Sequence, residues 1–207
     1  MTSLSELDAR APVPDQMTVL YDFSGWVDKA MAGDTSAMLG IYDTLANCLS
    51  FDPMTVTLPD GTLESSSARC GNVPEKYRTF RIRWLDLAAA KGDLRAMLAF
   101  GLNAKGSELP DGVTREVWSQ LALTRLNDAA ASGLSEAFSA LYEAHRSGWY
   151  GPRDDTMAAA YAIAAHELMP DSIGSADYLK ILDALRVGDR AQAEATAKQI
   201  VLRTRQK

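Results

Sequence analysis

The chain has 207 residues, 47% of them apolar and 23% charged, with a net charge of −6 and a pI near 5.0. That apolar share is ample for the continuous core of one elongated domain or two small ones, and the acidic balance argues against nucleic acid or anionic membrane as a partner. Charges such as Asp34, Lys91 and Asp154 interrupt every apolar stretch well short of the ~18 residues of a membrane span, so no membrane insertion is expected.

Residues 1–17 read as a flexible N-terminal arm, because Pro12 and Pro14 forbid a helix there and little is available to bury. Glu6 and Asp8 stand where a signal peptide would be apolar, so any such peptide would have preceded Met1. From 18 to 207 the pattern is helical and helices come in pairs: 19–32 with 35–49, 75–91 with 94–104, 114–132 with 135–147, and 154–168 with 172–187. A last helix over 190–205 closes the series. All eight prolines, at 12, 14, 53, 59, 74, 110, 152 and 170, fall outside these helix interiors.

The pairs share the phrase AxxGxxxAxxxΦ, where Φ is a large apolar residue, centred on Gly33, Gly92 and Gly133. Ala30, Ala89 and Ala130 precede these glycines by three residues; Ala37, Ala96 and Ala137 follow by four, and Ile41, Phe100 and Leu141 by eight. A helix that ends at a glycine with positive φ can be followed by a second helix folded back against it. Alanines on the facing sides let the backbones approach to the short end of the usual ~8–10 Å, and the large residue fills the next layer. One such hairpin cannot bury both its faces, so hairpins stack.

The interval from Gly33 to Gly92 is longer than that from Gly92 to Gly133, and the excess lies in residues 49–73. MTVTL and TLES flank a Pro59-Asp60-Gly61 turn there, which predicts a short loop or β-hairpin insertion. A second LPDG at 109–112 reads as a turn between pairs. The two cysteines of the chain, Cys48 and Cys70, bracket the insertion at element ends. A bridge between them would pin it and imply an oxidising compartment; the alternative is a pair of unrelated buried thiols in the cytosol.

Trp84, Ala88, Ala89, Gly92, Ala96, Phe100 and Gly101 together resemble one unit of the Sel-one-like repeats, a tetratricopeptide-related family of helical hairpins. Gly148, Asp154, Ala158, Tyr161 and Ala165 resemble the linker and first helix of another, following the Gly133, Ala137 and Leu141 unit. The resemblance spans about residues 25–168. Tyr42 and Tyr142 depart from it where the family has a second glycine, and Leu45, Ala104 and His145 where it has a tyrosine. It implies an all-α, right-handed superhelical stack of about four antiparallel hairpins with a C-terminal capping helix. It further implies an adaptor role, in bacteria often at the cell envelope.

Chemistry has few candidates. His145 and His166 lie in no HExxH motif, no serine is followed three residues later by lysine, and there is no GxxxxGK phosphate loop or calcium-loop spacing. Ser65, Ser66 and Ser67 read as a loop. The expectation is no catalytic residue, no cofactor and no metal. Lys76, Arg78, Arg81 and Arg83 interleave with Tyr77, Phe80 and Trp84, but at helical spacing, which turns the aromatics to the core and the cations to water. Arg203, Arg205 and Lys207 suit a helix C-terminus.

For binding another protein or peptide, the candidate patch is His145, Arg146, Trp149 and Tyr150 in a glycine-flexed connection, residue types common at interface hot spots. The structural alternative is that Trp149 plugs the space between two hairpins. The insertion is a second candidate. The expected function is a non-catalytic adaptor or scaffold of the bacterial envelope, periplasmic or secreted, with the cytoplasm as the alternative site. It would bind through the concave face of the stack or through the insertion. Other readings are an immunity protein that occludes a secreted enzyme or toxin, and a β-lactam or cell-wall hydrolase with an unrecognised site.

Overall fold

In a computed structural model, residues 1–3, 5–7, 12–48, 55–57, 63–65, 70–71, 73–79, 81–106, 109, 112–170 and 180–206 are described. Their helices are α1 (Gln16–Tyr21), α2 (Phe23–Met31), α3 (Thr35–Cys48), α4 (Glu75–Thr79), α5 (Ile82–Ala90), α6 (Leu94–Asn103), α7 (Arg115–Ala131), α8 (Ser135–Ser147), α9 (Asp155–Leu168) and α10 (Val187–Arg205). Two short strands, β1 (Thr55–Thr57) and β2 (Leu63–Ser65), lie between α3 and α4.

Each repeat of the sequence phrase is a hairpin closed in the same way. Gly33, Gly92 and Gly133 have φ of 106°, 91° and 87°, a region that costs a side-chain-bearing residue energy. Each glycine N–H donates to the carbonyl of Ala30, Ala89 or Ala130. The next N–H reaches one residue further back, from Asp34 to Lys29, from Asp93 to Ala88 and from Leu134 to Ala129, at 3.0–3.2 Å. This pair of bonds satisfies carbonyls that the end of a helix leaves open. The six repeat alanines and the three large residues are all at most 3% exposed. Small side chains therefore face the partner helix in every copy, as the spacing predicts.

Successive helices pack on one another: α2 on α3, α3 on α5 across the insertion, α5 on α6, α6 on α7, α7 on α8, α8 on α9 and α9 on α10. One apolar cluster runs from Val19 to Val201. Alanine-rich α9 sits between α8 and α10, with Ala158, Ala159, Ala160, Ala162, Ala164 and Ala165 all buried. Tyr77 stacks edge-on to Phe23 and beside buried Trp84, and Arg83 is exposed, so these aromatics serve the core.

Several expectations need correction. The helix expected over 19–32 begins at Gln16 and breaks at Asp22. Asp15 caps the start by accepting from Thr18 N–H, because the prolines lie before the cap and not within the turn. Asp22 accepts from Gly25 N–H and opens the second segment. The helix expected over 75–91 divides likewise into α4 and α5. The last helix starts at Val187, after Arg186 takes an extended conformation (φ −66°, ψ 155°), so 187 begins a helix instead of ending one. Residues 180–183 are helical, and the rest of the helix expected over 172–187 lies mostly outside the described residues. So do the turn at 59–61, Phe80, Ser66 and Ser67, and Pro110 and Asp111 of the second LPDG.

The insertion contains an antiparallel hairpin that pairs Thr55 with Ser65, Val56 with Glu64 and Thr57 with Leu63. Cys48 at the end of α3 and Cys70 before α4 form a disulfide, with Cα atoms 5.5 Å apart. The two ends of the insertion are thereby tied together. Described residues of the N-terminal arm touch the stack. Thr2 pairs with Leu134 in a parallel bridge, Leu7 and Val13 pack on the core, and Pro14 lies in a notch over Gly40. Among the described residues no helix is long and apolar enough to cross a membrane.

Candidate functional site

The connection after α8 is set by Gly148, which takes a left-handed conformation (φ 63°) and ends the helix. A Cβ there would lie 3.0 Å from the carbonyl oxygen of Gly151 and 3.2 Å from the amide of Arg153, so only glycine lets the chain turn this tightly. The turn splits the four predicted binding residues between different surroundings. Tyr150 goes inward and is 9% exposed. Its hydroxyl donates to the carbonyl of Gly101 and accepts from the Lys105 N–H at 3.2 Å, and burial raises its pKa. Tyr150 thus fills the space between the hairpins, with Trp149 partly buried against the same core. Trp149 lies against Tyr150 edge-on, with the Lys105 ammonium 5.9 Å from its ring centre.

His145 stacks on Tyr161 of α9, ring centres 5.6 Å apart. Burial lowers its pKa, and the charge of Asp154 opposes that shift. Burial likewise raises Tyr161 to about 12, against the charge of Arg203, and its hydroxyl donates to Asn127. This group joins α7, α8 and α9, with His145 half-buried at its edge.

Arg146 turns the other way, into an open cleft of 1240 Å³. Its walls are α8, the start of α9, and residues 180–189, which lead into α10. Tyr142 and Arg146 line one side, with the guanidinium 5.8 Å from the ring centre, and Ile181, Leu185 and Arg186 line the other. Ion pairs among the described residues stand around it, including Arg146 with Glu143 at 3.4 Å, Arg153 with Asp155 at 2.8 Å and Arg186 with Asp189 at 2.8 Å. Their side chains are 33–89% exposed, so water and salt screen each pair and it can exchange partners readily. Asp154 is committed to the Met157 N–H as the cap of α9.

Tyr142 and Tyr42 both stand where the second hairpin has a glycine; Tyr42 is buried, whereas Tyr142 lines the cleft. The matching position in the second hairpin is Gly101, where a Cβ would lie 2.3 Å from Leu126 of α7. There the next helix fills the space; at Tyr142 the side chain faces the cleft. The sequence shows this departure, but the opposite wall comes from residues whose fold carries no repeat signal. Of the four candidate residues Arg146 lines the cleft; Ile181, Leu185 and Arg186 opposite it carry no signal in the sequence pattern.

Among the described residues no group of three or more histidine, cysteine, aspartate or glutamate side chains could hold a metal ion. The sequence matches no protein-family model and no curated protein. The fold is similar to that of c5321, a protective antigen present in uropathogenic Escherichia coli strains displaying an SLR (Sel-one-like repeat) fold. The TM-score is 0.55 at 21% identity, over 87% of this chain and 32% of that one, so the chain spans about a third of the antigen's length. The helical-repeat fold expected from the residues is thus the observed one.

Proposed function

We propose that the chain is a protein-interaction module, an adaptor or scaffold without catalysis of its own, which receives part of another protein in the cleft beside α8. The observation that carries this reading is the wall of Tyr142 and Arg146, an aromatic and a guanidinium on a packed helix, facing a space ringed by exchangeable ion pairs. Aromatic and arginine anchors on a preformed surface lose little freedom on association, so a few of them can hold a partner. Both signs of charge at the rim suit a polar protein segment better than a nucleic acid or a lipid surface. The Cys48–Cys70 bridge supports work in an oxidising compartment outside the cytoplasm, such as the bacterial periplasm or the exterior.

The test is capture from an extract of the source cell with intact protein and with the Tyr142→Ala, Arg146→Glu double variant. A partner held by the intact chain and lost, by tenfold or more, from the variant is the expected result. Turnover of β-lactam, peptidoglycan or ester that His145→Ala or His166→Ala abolishes would instead establish a hydrolase and overturn the reading.

A further inference from the structure

The second helices of the first three hairpins, α3, α6 and α8, carry the arm. At α8 the copy differs from its relatives. Asp34 and Asp93 cap α3 and α6 by accepting amide hydrogens, at 3.0 Å from Ala37 and at 3.0 and 3.2 Å from Arg95 and Ala96. The third position is Leu134, fully buried, with no side-chain oxygen to offer. Thr2 supplies it: its carbonyl accepts from Ser135 N–H at 3.1 Å, and its own N–H donates to Gly133 O at 2.9 Å. At the other end Pro14 fills the notch over Gly40, where a Cβ would lie 2.4 Å from its ring. Pro12 and Val13 border a groove of 560 Å³ against Leu39, Leu98 and Leu102.

These contacts are of the kind a bound peptide makes with a receptor: main-chain bonds at one end, a proline in a glycine notch at the other, and apolar contact beside it, with a helical turn at residues 5–7 between them. Leu102 remains 45% exposed, so the arm leaves part of the surface uncovered. We infer that the arm, through Thr2 and Pro12 to Pro14, is a displaceable internal ligand, and that the face of α3, α6 and α8 takes in place of these contacts a proline-containing segment of a partner protein. The arm then acts as a competitor: a partner binds only by exceeding the effective concentration of a tethered segment. This surface is separate from the cleft beside α8 and stands or falls without it.

The experiment uses a fluorescent peptide with the sequence of residues 1–15 and a chain that begins at Asp15, so that the α1 cap is kept. The shortened chain, helical by circular dichroism, is expected to bind the peptide one to one. The intact chain should bind it at least tenfold more weakly, and a peptide with Val13→Asp and Pro14→Asp should lose at least tenfold on the shortened chain. Should the shortened chain fail to fold, the full-length Val13→Asp, Pro14→Gly variant keeps the groove and loosens the arm; it is expected to bind the unmodified peptide at least tenfold better than the intact chain. Equal binding by intact and loosened chains, no binding by a folded shortened chain, or indifference to the peptide substitutions overturns the inference.

Discussion

Gly92 and Gly101 lie in the same hairpin, and each excludes a side chain for a different reason. At Gly92 the space is open and only the backbone angle objects, so Gly92→Ala should cost about 1–2 kcal/mol, independent of its neighbours. At Gly101 the angle is helical and Leu126 objects. Gly101→Ala should cost about 1–3 kcal/mol, and combining it with Leu126→Ala should cost less than the sum of the two. Urea titrations of the four variants distinguish the two mechanisms. His145 gives a pH test. Its folded pKa lies below the ordinary 6.5, so the unfolded chain binds the proton more tightly. Its contribution is complete above 6.5 and is lost as pH falls toward the folded value. Unfolding midpoints between pH 7.5 and 5 should therefore fall more steeply for the intact chain than for His145→Gln.

Element by element, the helices were legible where one residue decides them. Gly33, Gly92 and Gly133 announce their turns, and the alanines four residues later announce the face that packs. Asp22 was not legible as a break, because an aspartate within an apolar pattern reads equally well as an exposed helical residue. The attachment of the arm was hidden too, since the bond from Ser135 to Thr2 joins backbone atoms 133 residues apart and leaves no side-chain pattern. Two elements carry predictions. Asp93 caps α6 and also pairs with buried Arg95 at 2.9 Å, both side chains under 10% exposed. Burial works against its ionisation, but the hydrogen bonds from Arg95 and Thr35, the charge of Arg95 and the Ala96 N–H outweigh that and lower its pKa. Asp93→Ala leaves the guanidinium buried without that carboxylate and should cost about 3 kcal/mol, read in a urea titration. The disulfide closes a loop of 22 residues, so Cys48→Ser with Cys70→Ser should lower stability by about 3 kcal/mol. Reductant should lower the midpoint of the intact chain and leave that of the double variant unchanged.

At the scale of the whole molecule, small side chains at fixed intervals let helix after helix pack closely, and the cleft beside α8 lies where a tyrosine takes the place of a small residue and the following elements do not cover it. Gly101 admits the next helix; Tyr142 holds an aromatic face toward a cleft whose far wall is residues 180–189, a helical turn and the lead into α10. The candidate patch was only half legible for this reason. Residue types single out His145, Arg146, Trp149 and Tyr150, but which way each points depends on the left-handed turn at Gly148 and on helices distant in sequence. A photo-crosslinking amino acid placed at position 142 in the source cell examines the cleft itself. One discrete adduct of partner protein, absent when the same group replaces exposed Gln192 on α10, is the predicted result. No adduct at 142, or the same adducts from 192, would contradict the assignment of the cleft as the place where another protein binds.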